Sequence, residues 1–449
     1  MRRPTSLFAA GAAALALAAA PAPASASTDQ FTIFEAPREM LAGSTAQRKR
    51  TLDEISALGV KRMRVLLYWN NVVKANDAKA KPGNLDETDP TSKGYDWTVI
   101  DAVMGEATAR GIEVIPTVTG PVPRWATASK SGHLFKPDAT RFGRFVQAAG
   151  TRYRDFVDTW TIWNEPNQPQ FLLPQYAKGK PFSPTLYRGL YEAARKGLQK
   201  SGNGGDTILA GETSPRGNKN IVAPITFVKQ FFKGARVELD GWAHHPYTTR
   251  EGPFYRPKKV DVTIGVLSRL TKALDRYSKQ RRLPIYLTEF GIQSTPDTIL
   301  GVSQARQNEY RAISEKIAYD NPRVKAFSQY LMRDDLQRSG ADRFGGFESG
   351  LRFANGRKKL AYDGFRLPLV ADQKGARKVA LWGLVRPATG ATTVTVEFRD
   401  KGKGFEKLAR VRTNARGYWK RSASLREGRV FRVRWKAFSG PPTHAYRAP

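Results

Sequence analysis

Two glutamates stand at the ends of apolar, strand-like segments of this chain. Glu165 follows the apolar run 159–163, and Glu289 follows the run 283–287. A carboxylate beside buried aromatic and aliphatic side chains loses solvation, so two such positions indicate that the acids are needed there. Cleavage of a glycosidic bond uses two carboxyl groups: one protonates the leaving oxygen, and the other attacks the sugar or activates water. The pair therefore favours chemistry on a glycosidic bond.

Apolar runs that alternate with amphipathic stretches are the elements that would position this pair. Between Phe31 and Leu367 the alternation is typical of βα units around a parallel sheet. The predicted strands are Phe31–Phe34, Arg62–Leu67, Glu113–Thr117, Asp158–Trp163, Thr207–Ala210, Gly241–His244, Pro284–Thr288 and Val324–Tyr330. Eight strands with intervening helices over about 340 residues predict an α/β fold, a (β/α)8 TIM barrel. A doubly wound open sheet is the competing fold, but no glycine-rich phosphate loop follows the first strand.

Helix start signals lie between these strands. Leu52 and Ile55 recur on one face after Ser44, which we expect to cap that helix. Ser183, as a cap, and Pro184, at the first helical position, predict the start of another helix.

The barrel would bring polar side chains from several strand ends to one mouth, since residues just past the carboxyl ends of the strands face the active site. Glu165 follows the fourth predicted strand, and Glu289 ends the seventh. Glu35 lies near the first strand and Glu212 follows the fifth; either could touch substrate, but we interpret both as solvated loop acids. Other polar and aromatic residues lie at equivalent positions: Arg64 and Trp69 near strand two, His245 and Tyr247 after strand six.

The motifs around the two glutamates resemble those of the retaining glycoside hydrolases of clan A, and are most similar to family 39 and family 5 enzymes. The segments that carry the resemblance are Trp163-Asn164-Glu165-Pro166, Thr288-Glu289-Phe290-Gly291, Arg64-Val65 with Trp69, Tyr95-Asp96-Trp97, Pro123-Arg124-Trp125-Ala126 and His245-Pro246-Tyr247. They cover most of the stretch 31–367. One Asn-Glu-Pro motif alone would be weak, but the set in this order is fairly specific.

The resemblance implies a role for each matching residue. Glu165 would be the general acid/base and Glu289 the nucleophile. The other implied roles are a contact from Asn164 to the sugar 2-hydroxyl, contacts from Arg64 and Tyr247 to the nucleophile, and a place for His245 beside them. The mechanism needs no metal and no organic cofactor.

Three tryptophans are predicted to offer apolar walls or sugar platforms, although packing is an equally good interpretation of each: Trp69, Trp125 and Trp163. Many members of the clan carry a tryptophan after strand eight that stacks under the sugar. The segment 327–332 has none, so either Tyr330 takes its place or the platform comes from another part of the chain.

The composition changes near Pro368. Val394, Val396 and Phe398 alternate with polar residues, which is typical of half-buried antiparallel strands, so residues 371–449 predict a small accessory β-sandwich. This segment holds 19 lysines and arginines against 5 aspartates and glutamates, in a chain of net charge +34. Such a field favours an anionic cell-envelope polymer as partner; general solubilising charge is the alternative. We find no nucleic-acid-binding motif.

The amino-terminal residues predict export. Arg2 and Arg3 precede an apolar stretch, Leu7–Ala20, and small residues at 24–26 form a cleavage site, so residues 1–26 are predicted to be a secretory signal peptide. An uncleaved anchor is the alternative; we see no further span in the mature chain. There is no cysteine, and with four histidines we expect no metal centre.

These predictions define a signal peptide (1–26), a barrel glycosidase domain (27–368) and a basic accessory domain (371–449), in a secreted enzyme that cleaves an extracellular, β-linked poly- or oligosaccharide. Two alternatives stay open: a non-catalytic carbohydrate-binding or envelope-adhesion protein on a barrel scaffold, and a transglycosylase that uses the same intermediate.

Overall fold

The computed structural model describes residues 30–130, 132–280, 282–340 and 343–447. The predicted signal peptide, with its apolar stretch and cleavage site, lies outside these residues. None of the helices in the described part of the chain is long and apolar enough to cross a membrane.

Eight parallel strands close into a barrel in the neighbour order β1-β8-β7-β6-β5-β4-β3-β2. These strands are β1 (Phe31–Glu35), β2 (Arg62–Tyr68), β3 (Glu113–Thr119), β4 (Thr159–Ile162), β5 (Thr207–Thr213), β6 (Gly241–His244), β7 (Ile285–Leu287) and β8 (Val324–Tyr330). Each was predicted to within a few residues at either end, because strands buried on both faces read as continuous apolar runs. The TIM barrel is confirmed.

Besides the short helix Trp69–Val72 directly after β2, one longer helix follows each strand and packs outside the barrel. The helices are α1 (Thr45–Ala57), α2 (Thr98–Thr108), α3 (Ala139–Tyr153), α4 (Ser183–Lys200), α5 (Pro224–Phe231), α6 (Ser268–Tyr277), α7 (Gln304–Asp320) and α8 (Leu360–Arg366). The Ser44 hydroxyl accepts from the Gln47 amide at 3.2 Å and caps α1, as predicted.

The predicted start of α4 is wrong in one detail. Pro184 lies in the first turn, but Ser183 is already helical and is not the cap. Its hydroxyl donates instead to the Gln175 side chain at 2.9 Å, so a tertiary partner has taken the group that would have capped the helix.

A second sheet begins at Leu369 and is nearly closed on itself. Its main strands are β9 (Leu369–Gln373), β10 (Lys378–Leu384), β11 (Thr393–Arg399), β12 (Glu406–Arg412), β13 (Tyr418–Ser424), β14 (Val430–Trp435) and β15 (Thr443–Tyr446), and the two-residue strand Phe438–Ser439 pairs with β14. Their order is β12-β11-β14-β15-β9-β10-β13. Val394 and Val396 point into its core beside Phe431 and Trp419, as the alternation predicted.

The carboxy-terminal sheet packs against the barrel through α7. Tyr319 of α7 contacts Trp382 and Tyr418, with ring centroids 5.4 and 4.6 Å apart. Beside this apolar contact, Arg386 donates to both carboxylate oxygens of Glu315 at 2.6 and 2.8 Å, and both side chains are buried from solvent.

Candidate active site

The backbone turns sharply where the strands that carry the acids end. Positive φ angles occur at Trp163 (69°) and Glu165 (39°), which follow β4, and at Glu212 (47°), near the end of β5. A side chain other than glycine costs about 1–3 kcal/mol in this region and stays there only when its surroundings hold it. The Glu165 amide donates to the Glu212 carbonyl at 2.9 Å, so each turn supports the other.

The two predicted acids converge on one cavity at the carboxyl end of the barrel. One carboxylate oxygen of Glu165, one of Glu289 and one ring nitrogen of His245 all lie within 4.8 Å of one another. Both glutamates are 8% exposed, and both line a cavity of about 670 Å³. The barrel therefore joins two residues that are far apart in the sequence.

Glu289 is held by hydrogen bonds on both oxygens. The Tyr247 hydroxyl donates to Oε1 at 2.8 Å, and Nη1 of Arg64 donates to Oε2 at 2.9 Å. Donors on both sides fix the orientation of this carboxyl group. The family resemblance implied that Arg64 and Tyr247 contact Glu289, and in the structure both side chains do so.

The Arg64 guanidinium is the buried centre of the site. Nη1 also donates to Glu35 at 2.7 Å, and Nη2 lies 2.6 Å from Oδ1 of Asn164 and 3.0 Å from Glu212. Since the Asn164 oxygen is engaged by the guanidinium, the amide NH₂ is the part of this side chain that can donate to a ligand. Burial alone would lower the pKa of Arg64, but the surrounding carboxylates raise it well above its ordinary value.

His245 bridges two acids. Its Nδ1 lies 2.9 Å from Glu165, and its Nε2 lies 2.5 Å from Glu212. Although burial would lower the pKa of His245, Glu289 and the hydrogen bonds to Glu165 and Glu212 raise it to about 10. A protonated imidazole donates through both nitrogens, which suits a ring with a carboxyl group on each side.

The acids around this centre differ in their protonation. Burial raises the pKa of Glu165 against the effect of its hydrogen bond from His245. Burial would also raise the pKa of Glu212, but Arg64 and His245 hold it below its ordinary value. The fully enclosed Glu35 has its pKa raised by burial to about 8, which Arg64 only partly offsets. The site thus holds neutral and ionised carboxyl groups side by side.

Two acids were misinterpreted from the sequence. Glu35 and Glu212 are not solvated loop acids: their side chains are 1% and 0% exposed, and both are bonded to Arg64. Their position at the ends of predicted strands was the signal that could have identified them. Gln168, which donates to the second oxygen of Glu165 at 2.5 Å, carried no such signal because it lies in a loop.

The three tryptophans predicted as sugar platforms are packing residues. Among the described residues that line the cavity, none is Trp69, Trp125 or Trp163. Trp69 stacks on Phe145 of α3 with centroids 5.3 Å apart, and Trp163 packs edge-on against Phe142 of the same helix. Their side chains therefore fill the layer between the barrel and α3 instead of the mouth of the barrel.

Other aromatic side chains form the walls of the cavity. Tyr330, the last residue of β8, lines it near the position that lacks a tryptophan, and its ring meets that of Phe347 edge-on at 5.1 Å. Tyr68, Phe171 and Tyr255 are half-buried at the same cavity. Sugar rings present apolar faces that such side chains can pack against.

The triad of Glu165, His245 and Glu289 has the residue types of a metal site, but its charges do not suit a cation. Both His245 nitrogens are directed at carboxyl groups, which leaves no ring lone pair for a metal when the ring is protonated. The Arg64 guanidinium already neutralises Glu289 at 2.9 Å. The arrangement is better suited to proton transfer and attack by a carboxylate.

No protein-family model matches the sequence, and no curated protein is significantly similar to it. Solved structures do share its fold. A family 39 glycoside hydrolase from Bacteroides cellulosilyticus is 16% identical, with a TM-score of 0.57 over 92% of this chain and 81% of its own. A monomeric β-xylosidase from Caulobacter crescentus is 16% identical, with a TM-score of 0.53 over 92% of this chain and 97% of its own.

A third similar structure, GH5_18 from Streptomyces cattleya in complex with GlcNAc, is 16% identical with a TM-score of 0.55 and covers 76% of this chain and 79% of its own. At such identities the likeness shows the fold alone. In that respect the expected resemblance to family 39 and family 5 enzymes is confirmed.

Proposed function

We propose that this protein is a secreted retaining glycoside hydrolase that cleaves a β-linked poly- or oligosaccharide by double displacement. The observation that carries the proposal is the approach of the Glu165 and Glu289 carboxyl oxygens to within 4.8 Å across one cavity. Retaining enzymes hold their two carboxyl groups about 5–5.5 Å apart, whereas inverting enzymes need about 6.5–9.5 Å to admit a water molecule. The names of the structurally similar enzymes agree with this class of substrate.

In the first step, Glu165 donates its proton to the leaving glycosidic oxygen while an oxygen of Glu289 attacks the anomeric carbon. The bond from that carbon to the leaving oxygen breaks, and a covalent glycosyl-enzyme forms. The raised pKa of Glu165, caused by burial, keeps its proton available. The hydrogen bonds from Tyr247 and Arg64 orient Glu289 for the attack.

In the second step, the ionised Glu165 takes a proton from water, whose oxygen attacks the same carbon and releases Glu289. Two displacements restore the original configuration of the sugar. The free NH₂ of Asn164 can donate to the sugar 2-hydroxyl, since Arg64 holds its oxygen at 2.6 Å. Tyr330 and Phe347 offer apolar surfaces for neighbouring sugar rings.

A trapping experiment tests this mechanism. We expect 2-deoxy-2-fluoro β-glycosides to label Glu289, as read by mass spectrometry of peptides. Glu289→Ala should abolish hydrolysis of aryl β-glycosides, and Glu165→Ala should slow it by about 10²–10⁴-fold for poor leaving groups. The matched control is Glu87→Gln, which alters a buried acid that pairs with Arg141 and Arg144 outside the cavity.

Three results would contradict the mechanism: a product of inverted configuration, a label on another residue, or unchanged turnover by Glu289→Ala. Product analysis with added sugar acceptors separates hydrolysis from transglycosylation. A purely carbohydrate-binding protein would bind glycans and turn over none of them.

We also propose that the carboxy-terminal sheet holds the enzyme on an anionic polymer of the cell envelope. Strand pairing aligns cations across one face of β11, β12 and β14: Arg410 and Arg434 flank Thr395, and Lys407 and Arg432 flank Glu397. Arg410, Lys407 and Arg434 are exposed, and Arg412 extends the row. We name these five cations the basic face; with one acid, Glu397, among them, the surface favours polyanions.

Retention on polygalacturonate beads tests the basic face. A triple variant with Arg410→Gln, Arg412→Gln and Arg434→Gln should elute at about half the salt concentration of the intact protein, since exposed charges are screened by salt. The control neutralises three exposed cations elsewhere, with Lys49→Gln, Arg50→Gln and Lys196→Gln. Equal elution of the two triple variants would show that net charge, and not this face, governs retention.

A further inference from the structure

We infer that Glu212 is a positioning residue: it keeps both nitrogens of His245 protonated and thereby fixes the orientation of Glu165. The inference rests on the proposed role of Glu165 as the acid/base. Glu212 neither lines the cavity nor was assigned a role from the sequence, yet it lies directly behind the residues that do. The side chain of Glu212 reaches that of Glu165 through His245.

The contacts of Glu212 show what it can do. One of its two carboxyl oxygens, Oε2, is contacted by three donors: His245 Nε2 at 2.5 Å, Arg64 Nη2 at 3.0 Å and the Thr288 hydroxyl at 3.0 Å. The side chain is 0% exposed. A buried carboxyl group with two cationic donors is most stable when ionised, and an ionised partner at Nε2 stabilises a proton there.

The other ring nitrogen of His245 contacts the proposed acid/base, Glu165. Nδ1 lies 2.9 Å from Oε1 of Glu165. If Nε2–H is held by Glu212, a second proton on Nδ1 lets the ring donate to Oε1, and the transferable proton of Glu165 then resides on Oε2. A neutral ring would have only one proton for two carboxyl groups.

The charged and titratable groups facing His245 come from several strands. Glu289, which follows β7, lies 3.7 Å from Nδ1, and Arg64 of β2 and Glu35 of β1 lie behind the Glu289 carboxyl group. The neighbouring His244 is kept neutral, because burial lowers its pKa to about 3. Among the residues that the structure describes, Glu212 is the ionised partner that contacts Nε2 directly, so its removal should affect His245 more than a change at a distance would.

Nitrogen-15 NMR of histidine-labelled protein tests the inference without any substrate. The chain has four histidines, so His245 can be assigned by comparing a His245→Gln variant. In the intact protein we expect both ring nitrogens of His245 to stay protonated from pH 6 to about 9. In Glu212→Gln we expect the ring to lose a proton at least about one pH unit lower.

Kinetics supply a second readout that a merely structural role would not give. For Glu212→Gln, kcat/KM should fall by about 100-fold on aryl β-glycosides with poor leaving groups, because the acid is misoriented. With a 2,4-dinitrophenyl leaving group, which needs no protonation, it should fall by about threefold or less. The control Glu87→Gln should change neither the leaving-group dependence nor the His245 titration.

The inference is overturned if His245 is singly protonated at pH 7 in the intact protein, or if Glu212→Gln leaves both its titration and the leaving-group dependence unchanged. If Glu212→Gln does not fold, the measurement on the intact protein still decides, and Thr288→Val removes one donor to Glu212 as a milder change. An intact protein with the expected NMR spectrum but no activity on any glycoside would contradict the proposed function and leave the link between Glu212 and His245 standing.

Discussion

Within the site, the Arg64 guanidinium determines which carboxyl groups carry charge. It contacts Glu35, Glu212 and Glu289 at 2.7–3.0 Å, but one cation cannot compensate three buried carboxylates. His245 supplies the second positive charge beside Glu212 and Glu165. Glu35, which has no direct contact with His245 and shares Arg64 with the other acids, is the acid left without full compensation, and its pKa is raised by burial to about 8.

This imbalance predicts a pH-dependent stability. Unfolded Glu35 ionises near its ordinary pKa of 4.5, whereas the folded protein retains the proton up to about pH 8. The native state therefore binds more protons over this range, and stability falls as the pH rises through it. Glu35→Gln removes that dependence. The free energy of unfolding of the variant, relative to that of the intact protein, should therefore be higher at pH 8.5 than at pH 5 by up to a few kcal/mol.

Urea unfolding at both pH values measures the change. A control is Glu113→Gln, an acid whose side chain is 52% exposed. If the stability difference between Glu35→Gln and the intact protein is the same at pH 5 and pH 8.5, Glu35 is ionised in the folded protein throughout.

At the scale of elements, two glycines let α3 and α4 approach each other closely. A Cβ at Gly197 would lie 2.2 Å from the Gly143 carbonyl oxygen, and one at Gly143 would lie 2.7 Å from the Ala193 carbonyl oxygen. These are backbone atoms and cannot rotate away. The contact fixes the helices that carry Phe142 and Tyr187 against the β4 end, where Glu165 is held.

A pair of substitutions in one helix tests this contact. Gly197→Ala should destabilise the protein by about 1–3 kcal/mol because α3 must shift. Gly189→Ala, in the same helix, meets its nearest atom only at 3.9 Å and should stabilise the protein by up to about 1 kcal/mol through helix propensity. Thermal unfolding of both variants measures the difference; equal effects would mean that the helices are not in tight contact.

At the scale of the whole molecule, the carboxy-terminal sheet is tied to the barrel by buried charge. Arg386, which follows β10, pairs with Glu315 of α7, and its guanidinium lies 4.1 Å from the Phe365 ring centroid. Arg311 reaches Glu315 at 2.8 Å and the same ring at 4.5 Å. The sequence predicted an accessory module, but this interface implies that the barrel depends on it.

Arg386→Ala should therefore destabilise the entire protein by about 3–5 kcal/mol, because it removes one partner of a buried ion pair. Arg421→Ala, on an exposed strand of the same sheet, should have an effect within about 0.5 kcal/mol. Denaturant unfolding followed by tryptophan fluorescence measures both. Two separate transitions, with only the transition of the sheet affected by Arg386→Ala, would show that the sheet and the barrel unfold independently.

The sequence by itself determined the order of elements and the two central acids. Apolar runs and alternation are local patterns, so they identified the eight strands, the second sheet and the strand ends that carry Glu165 and Glu289. Only the tertiary structure decided how side chains meet across strands. In the folded protein, Trp69 and Trp163 pack between the barrel and α3, and Glu35 and Glu212 are buried. Burial and pairing depend on residues that are distant in the sequence, which local patterns do not specify.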